Sequence, residues 1–217
     1  MRRVFLVFAF VAVFALAANA GVVTLTFEGI GDEASVGNYY NGGAGPNYGI
    51  QFGSDSLAII SLADGGSGNF DGNPSGDTIL FFLSGPGDVM DVAAGFTTGF
   101  SFYYSAPVYA GSVSVYSGLD GAGTDLGDIA LPLTPNGTSY GPPCSGSYTY
   151  CPWIPIGVSF AGTAESVIFT GTADYIGFDN VTLGASIPGN GTPEPGAFSL
   201  LGLGLASLVM YARRKKA

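Results

Sequence analysis

The sequence predicts an all-β domain built as a jelly-roll-like β-sandwich, and three observations lead to this fold class. Apolar and polar residues alternate over short segments, turn-forming residues separate those segments, and no helical periodicity longer than two turns occurs before residue 196. Of the 36 glycines, 33 lie between residues 21 and 192. This part of the chain is long enough to bury the core of one domain.

Eight segments have the period of a β-strand. In chain order they are 23–27, 57–62, 78–83, 99–104, 112–116, 157–160, 166–169 and 175–183. Alternation places every second side chain on one face, so each segment can turn an apolar face toward a core. Clusters of Gly, Pro, Asn, Asp and Ser between the segments predict turns.

The N-terminal segment has the organisation of a secretory signal peptide. Arg2 and Arg3 form a basic start, residues 4–16 are apolar, and Ala18-Asn19-Ala20 offers small residues for signal peptidase. The alternative is a membrane anchor, but the apolar segment is shorter than the roughly 20 residues of a spanning helix. We expect residues 1–20 to be removed and the rest to be exported.

A second apolar segment, residues 196–212, lies near the end of the sequence and is followed by Arg213, Arg214, Lys215 and Lys216. Its 17 residues are enough to span a bilayer as a helix, with the basic residues on the cytoplasmic side. A buried core helix is the alternative, but this segment has no polar face to turn to water. Residues 185–192 have the composition of a linker, so we place the domain at 21–184.

All six basic residues lie in the two terminal segments, and the sequence has no histidine. Residues 21–192 therefore carry 15 of the 16 carboxylates, all except Glu194, and no cationic side chain. Nucleic-acid binding, phosphate clamps, histidine acid–base chemistry and Ser-His-Asp triads all need residues that this part lacks. Each carboxylate must be solvated, hydrogen-bonded or bound to a metal.

Pro193-Glu194-Pro195, the apolar segment 196–212 and the basic end occur together in that order over residues 193–217. This arrangement resembles the PEP-CTERM sorting signal of bacteria that export extracellular polysaccharide. It implies that an exosortase, a membrane-embedded cysteine transpeptidase, cuts near the triplet. The chain would be anchored in the membrane before processing and would then reach the bacterial envelope, the cell surface or the extracellular matrix.

The two cysteines, Cys144 and Cys151, lie seven residues apart in a segment rich in Pro, Gly and Ser. In an exported protein this pair predicts a disulfide. The alternative is a pair of metal ligands, for which the sequence lacks the other two ligands of a zinc site.

Phe27-Glu28 lies near the first predicted strand, and Asp179 lies in the last one. This pair of motifs resembles, more loosely, the Phe-Glu and Asp of calcium-binding jelly-roll carbohydrate-binding modules. Regular alternation places Asp179 on the same face as Val181 and Leu183, where no Lys, Arg or His could neutralise it. We therefore predict a structural calcium ion held by Glu28 and Asp179. The alternative is a β-bulge at Asp179-Asn180 that turns the carboxylate to solvent, or an Asx-type hydrogen bond to the backbone.

A segment that begins at Asp71, "DGNPSGD", starts like an EF-hand loop. Its twelfth position is Phe82, where an EF-hand needs a bidentate Glu, so we interpret it as an Asx-rich turn.

The sequence is rich in tyrosine and contains one tryptophan, Trp153. These side chains can pack in the core or form a face on which sugars stack. The aromatic residues are Tyr39, Tyr40, Tyr48, Tyr103, Tyr104, Tyr109, Tyr140, Tyr148, Tyr150 and Trp153.

The sequence thus predicts a non-enzymatic surface or matrix protein that binds polysaccharide through aromatic residues and calcium. The alternative is a glycan-active enzyme that uses two carboxylates as acid and base, which requires neither His nor Lys. No carboxylate pair in the sequence lies in a recognisable catalytic motif.

Overall fold

A computed structural model describes residues 21–189 of the chain, and this part is all-β. Three short 3₁₀ turns occur between the strands, and no helix in this range is long and apolar enough to cross a membrane. The predicted signal peptide, the Pro193-Glu194-Pro195 triplet and the predicted helix 196–212 lie outside the described residues. The ten strands are β1 (Val23–Leu25), β2 (Ala34–Ser35), β3 (Ile50–Phe52), β4 (Ser56–Ile60), β5 (Thr78–Phe82), β6 (Gly87–Ser105), β7 (Gly111–Tyr116), β8 (Asp125–Leu131), β9 (Ile154–Thr170) and β10 (Gly177–Leu183).

All strand pairs named here are antiparallel. The hydrogen-bonded order is β2-β4-β5-β10-β6-β9-β7-β8, with β1 added to β10 and β3 added to β6. Strand β10 is central, because it pairs with β5 and β1 along one edge and with β6 along the other. All seven of its residues are buried.

The two longest strands, β6 and β9, each change direction along their length. Their register shifts between Asp91 and Phe96 and again between Thr97 and Gly99, and Gly95 and Thr98 have positive φ angles of 69° and 74°. Before these bulges β6 pairs with β3, and after them it pairs with β10. A strand that bends at bulges can contribute to two layers, so this arrangement is consistent with a β-sandwich.

The main core is dominated by phenylalanine rings. Phe178 of β10 lies 5.0 Å from Phe169 and 5.5 Å from Phe102, measured between ring centroids, and both contacts are edge-to-face. All three side chains are at most 1 % exposed. Edge-to-face packing stabilises such clusters beyond the burial of apolar area alone.

A second, smaller cluster packs against β5 from outside the main core. It consists of Phe70, Ile79 and Trp153, with Tyr103 and Tyr150 packed against it. Two loops cover this face, residues 61–77 and 132–153, and they meet where Phe70 forms a β-bridge with Tyr150. Residues of these loops line a cleft on this face and contact Asp179.

The predicted strands are present, with three differences. The segment predicted at 99–104 is the second part of a longer strand, β6, which begins at Gly87. Segments 157–160 and 166–169 belong to one long strand, β9, which continues through residues 161–165. Residues 161–163 are exposed, so no apolar alternation marks the strand there. Strands β2, β3 and β8 were not predicted. Strands β2 and β3 have two and three residues, too few to show a period, and β8 contains Asp and Gly in its first half.

Candidate cation site and ligand cleft

The carboxylate of Asp179 is fully buried, at 0 % exposure, and is surrounded by neutral hydrogen-bond donors. Ser75 donates its backbone N–H to Oδ2 (3.1 Å) and its hydroxyl to Oδ1 (2.9 Å). The side-chain amide of Asn73 donates to Oδ2 (3.3 Å), and the N–H of Asn180 donates to Oδ1 (2.6 Å). No cationic residue occurs between residues 21 and 189, so within this part of the chain the negative charge has no ionic partner.

A β-bulge at Asp179-Asn180 decides where this carboxylate points. Asn180 has a φ angle of 49°, and the register with β6 shifts between Asp179 and Thr182. As a result Phe178 and Val181 both pack in the main core, although regular alternation would put them on opposite faces. The expectation that Asp179 shares the face of Val181 and Leu183 is therefore wrong. The bulge that we considered as one alternative exists, but it turns the side chain under the Asn73–Ser75 loop and not to solvent. The other alternative, a hydrogen bond between the carboxylate and the backbone, is also present, since Asp179 accepts the N–H groups of Asn180 and Ser75.

Glu28 follows β1 and contacts the same loop from its other end. Its Oε1 accepts the backbone N–H groups of Asp77 (3.2 Å) and Thr78 (3.0 Å). The carboxylate lies so close to Gly76 that a Cβ at this position would be 2.1 Å from the Glu28 Cδ. Gly76 also has a φ angle of +48°, so both conformation and space require glycine here.

The structure thus brings both predicted ligands, Glu28 and Asp179, onto one segment, residues 73–78. This segment is part of the stretch that begins like an EF-hand loop. The oxygen-bearing side chains of that stretch were visible in the sequence, but their spacing resembled an EF-hand loop, which would supply its ligands from within itself. The loop instead completes a site whose carboxylates come from the first and the last strand regions.

The amide of Asn73 marks a point where three oxygen atoms converge. Its Nδ2 lies 2.5 Å from the carbonyl oxygen of Ser75, 3.4 Å from that of Gly76 and 3.3 Å from Oδ2 of Asp179. An amide nitrogen carries two protons, so it cannot serve all three acceptors fully. Carbonyl and carboxylate oxygens are the ligands that calcium prefers, so these residue types suit such an ion, for which the amide of Asn73 would have to turn away.

Burial shifts the titration of both carboxylates in the same direction. Desolvation raises the pKa of Asp179 to about 7, although the hydrogen bonds from Ser75, Asn180 and Asn73 oppose this shift. Desolvation also raises the pKa of Glu28, and the neighbouring Asp77 adds to the effect. Both groups would consequently be stabilised in their ionised form by a nearby positive charge.

A cleft of ≈ 380 Å³ opens beside this site, on the face covered by the two loops. Four of its lining residues are aromatic, Phe70, Phe81, Tyr150 and Tyr175, and the rings of Phe70 and Phe81 are buried. Tyr175 is 36 % exposed, and its ring meets the 47 % exposed ring of Tyr109 edge-to-face at 4.8 Å. The cleft is lined by Ile59, Ser67, Gly68, Asn69, Phe70, Ile79, Phe81, Val108, Thr149, Tyr150, Asp174, Tyr175, Ile176 and Gly177.

One wall of the cleft is held by the loop that the two cysteines close. Cys144 and Cys151 form a disulfide, which confirms the predicted pairing and shows that the metal-ligand alternative is wrong. Asp71 lies close to both sulfur atoms, but sulfurs joined in a disulfide do not supply thiolate ligands. Next to the disulfide, Asn69 accepts the N–H of Thr149 on Oδ1 (3.1 Å), and its backbone carbonyl accepts the N–H of Tyr150 (3.2 Å).

The cleft and the carboxylate site share one segment of chain, residues 69–78. Asn69 and Phe70 line the cleft, and Asn73 and Ser75 contact Asp179. Between them, the carbonyl of Asp71 accepts the indole N–H of Trp153 (2.9 Å). The two sites are therefore joined by a short, hydrogen-bonded piece of backbone.

Replacing both cysteines by serine is expected to destabilise the domain by about 2.5 kcal/mol, the chain-entropy value for a loop of this length. The measurement is urea unfolding of the double variant against the oxidised parent. Alkylation of the exported parent without reductant should label neither thiol. Full labelling of both thiols before reduction would contradict the pairing.

Tyr109, Tyr150 and Trp153 were among many candidate aromatic residues in the sequence, which could not show which of the rings are buried and which are exposed. The structure does so: Tyr40, Tyr104 and Trp153 are buried, while Tyr109, Tyr140 and Tyr175 are exposed. Asn69, Thr149, Asp174 and Tyr175 were missed as cleft residues. They are far apart in sequence, and no local pattern connects them.

Comparison with known proteins identifies the C-terminal segment. Residues 192–216 match the PEP-CTERM protein-sorting motif, so the chain carries the sorting signal that its sequence resembles. No curated protein matches the chain by sequence.

Among solved structures, the K2 cleaved adhesin domain of Lys-gingipain is similar, with 18% identity, a TM-score of 0.46 and coverage of 76% of this chain and 100% of that one. A β-1,3-glucan-binding CBM6 from Bacillus halodurans has 18% identity, a TM-score of 0.37 and coverage of 61% and 87%. A CBM35 from Paenibacillus barcinonensis has 16% identity, a TM-score of 0.36 and coverage of 64% and 94%. The latter two are modules of the class that the sequence resembles. These likenesses are distant, and a shared fold does not imply a shared function.

Proposed function

We propose that this chain is an exported surface or matrix protein that an exosortase processes at its C-terminal tail and whose jelly-roll-like β-sandwich binds polysaccharide. Two observations support the two halves of this proposal. The sorting motif at residues 192–216 supports delivery to the bacterial envelope. The aromatic cleft supports binding, because exposed rings on a rigid wall are suited to stacking on sugar rings.

Processing at both ends is the expected result for the native protein. Signal peptidase should leave Gly21 as the first residue, and exosortase should remove the basic tail near Pro193-Glu194-Pro195. Intact-mass analysis of the protein recovered from the producing cells measures both events. A mature protein that retains Arg213–Lys216 would contradict exosortase cleavage while leaving export untouched.

The cleft can bind a sugar chain without large rearrangement. Its wall is fixed by the disulfide-closed loop, by the pairing of Asn69 with Thr149, and by the hydroxyl of Tyr150, which donates to the carbonyl of Asp174 (2.9 Å). A wall held in this way loses little conformational entropy when a ligand binds. Polar groups among the aromatic residues can bond sugar hydroxyls.

Tyr175→Ala is expected to weaken glycan binding by about 5- to 30-fold, the effect of removing one well-placed aromatic contact. The measurement is calorimetric titration with the oligosaccharide selected on a glycan array. Tyr175→Phe keeps the ring and should bind nearly as the parent does. Tyr140→Ala removes an exposed ring that does not line the cleft, and it serves as the matched control. Equal affinity of the Tyr175→Ala and Tyr140→Ala variants would contradict this cleft as the site.

The carboxylate site supports a structural calcium ion as part of the same proposal. Glu28 and Asp179 would supply charged ligands, and the carbonyls of Ser75 and Gly76 would supply neutral ones. When bound, the ion would neutralise carboxylates that have no cationic residue near them.

A carboxylate enzyme remains the second candidate, and Asp55 and Asp88 are the pair closest to that chemistry. Burial raises the pKa of Asp88 to about 6, and the charge of Asp55 adds to this shift. Both residues line a shallow depression of ≈ 420 Å³, but no aromatic ring there is open to solvent for stacking on a sugar. Asp174 is the one acidic residue among those lining the aromatic cleft, where a glycosidase needs two. A reducing-sugar assay with each bound glycan tests this alternative.

A further inference from the structure

One carboxylate in the aromatic cleft has no partner among the described residues. The backbone of Asp174 is fixed, since its N–H donates to the carbonyl of Phe82 (2.7 Å) and its carbonyl accepts the hydroxyl of Tyr150 (2.9 Å). Its side chain forms no hydrogen bond or ion pair with any residue between 21 and 189. The residue is exposed at the cleft and near the ring of Tyr150, whose pKa is raised by burial and then by the charge of Asp174.

The negative charge of the whole domain adds to the negative charge that Asp174 places in the cleft. Residues 21–192 carry 15 carboxylates and no cationic side chain, so the net charge of the domain is strongly negative. Such a field raises the local concentration of cations and repels uronic acid or sulfate groups. Without a Lys or Arg in this part of the chain, an anionic sugar would find no direct counter-charge from it.

The tyrosine rings in the walls of the cleft also favour a ligand with a positive charge. Tyr150 and Tyr175 both line it, and the faces of tyrosine rings attract a cation through their quadrupole. A carboxylate beside two tyrosine rings therefore offers an ammonium group both a counter-ion and aromatic contact. A neutral hydroxyl gains much less from these groups.

We propose that the cleft recognises a polysaccharide that bears free amino groups, with Asp174 as the residue that selects the protonated amine. This inference rests on the proposed function, because it names the class of glycan that the same cleft binds. Asp174 pairs with the ammonium group, and the tyrosine rings contact the sugar that carries it.

The test compares two tetrasaccharides that differ only at nitrogen, a glucosamine tetramer and its fully N-acetylated form. The processed protein from the producing cells is titrated with each at low salt and fixed calcium. The amine form is expected to bind about tenfold more tightly, and this preference should shrink at high salt because screening weakens the charge pair.

Asp174→Asn is the decisive variant. Asp174 has a φ angle of +67°, and Asn tolerates this left-handed conformation as well as Asp, so the backbone should be retained. The variant should lose the tenfold preference and keep the affinity for the acetylated form. Glu165→Gln removes the same charge from β9, outside the cleft lining, and should leave the preference unchanged.

The outcomes separate this inference from the proposed function. Equal binding of both tetramers would overturn amine selection while supporting a polysaccharide cleft. Binding to no glycan on the array, amines included, would overturn both. Tighter binding of a lysine-rich peptide than of the glucosamine tetramer would also overturn the inference, since the ammonium group would then belong to a protein.

Discussion

Adding calcium to the metal-free protein is expected to raise its Tm by about 5–10 °C. A ligand at 100 times its Kd stabilises the folded state by about 2.7 kcal/mol, and 1 kcal/mol shifts the Tm of a domain of this size by about 2–4 °C. The physical reason is that Asp179, buried with four neutral donors and no cation, would gain a positive partner. Differential scanning calorimetry with EDTA and with millimolar calcium measures the shift.

Two variants isolate the site. Glu28→Gln keeps an oxygen that can accept the N–H groups of Asp77 and Thr78 but removes the charge, so the metal-free protein should melt nearly as the parent does and lose its response to calcium. Asp179→Ala should also lose the response, with a lower Tm in EDTA because Ser75 and Asn73 are left without their acceptor. Glu165→Gln is the charge-matched control. Identical melting curves of the parent with EDTA and with calcium would rule the ion out.

The metal-free protein is also expected to lose stability as the pH rises from about 4 to about 7. The pKa of Asp179 is raised from 3.8 to about 7 by burial, so in this range the folded state binds more protons than the unfolded state. Stability then falls with increasing pH. Asp88, whose pKa is raised to about 6 by burial, contributes in the same direction. Calcium should reduce the fall, because the ionised carboxylate is then a ligand. Urea unfolding at pH 5 and pH 7.5, with and without calcium, tests the sign.

The largest loss of stability is expected for Phe178→Ala, at about 3–5 kcal/mol. The ring is 0 % exposed and makes edge-to-face contacts with Phe102 and Phe169, so its removal leaves a cavity in the main core. Strand β10 pairs with β1, β5 and β6, so a cavity beside it affects the packing of strands on both of its sides. Equilibrium unfolding in urea measures the change.

Phe160→Ala provides the matched control for this substitution. Phe160 is partly exposed and packs at the edge of the core against Phe96 (5.7 Å), so the same truncation should cost about 1–2 kcal/mol. A similar loss of unfolding free energy in Phe160→Ala and Phe178→Ala would show that the ring of Phe178 is not central to the core.

Local patterns were sufficient for several features. Alternation predicted most strands, because a period of two is visible wherever one face of a strand is buried. The composition showed that no residue between 21 and 192 could neutralise a carboxylate, and the short spacing of Cys144 and Cys151 predicted their disulfide. The sorting signal was recognisable because its three parts are contiguous in the chain.

The tertiary structure alone decided the geometry of both sites. The bulge at Asp179-Asn180 reverses the faces of β10, and alternation cannot reveal a single inserted residue. Ser75 reaches Asp179 across 104 residues, and Asn69 reaches Thr149 across 80. Such contacts depend on how loops fold over the sheet. The sequence by itself therefore determined the class of fold, the charge and the sorting signal, while only three-dimensional packing placed the carboxylates on one loop and assembled the cleft.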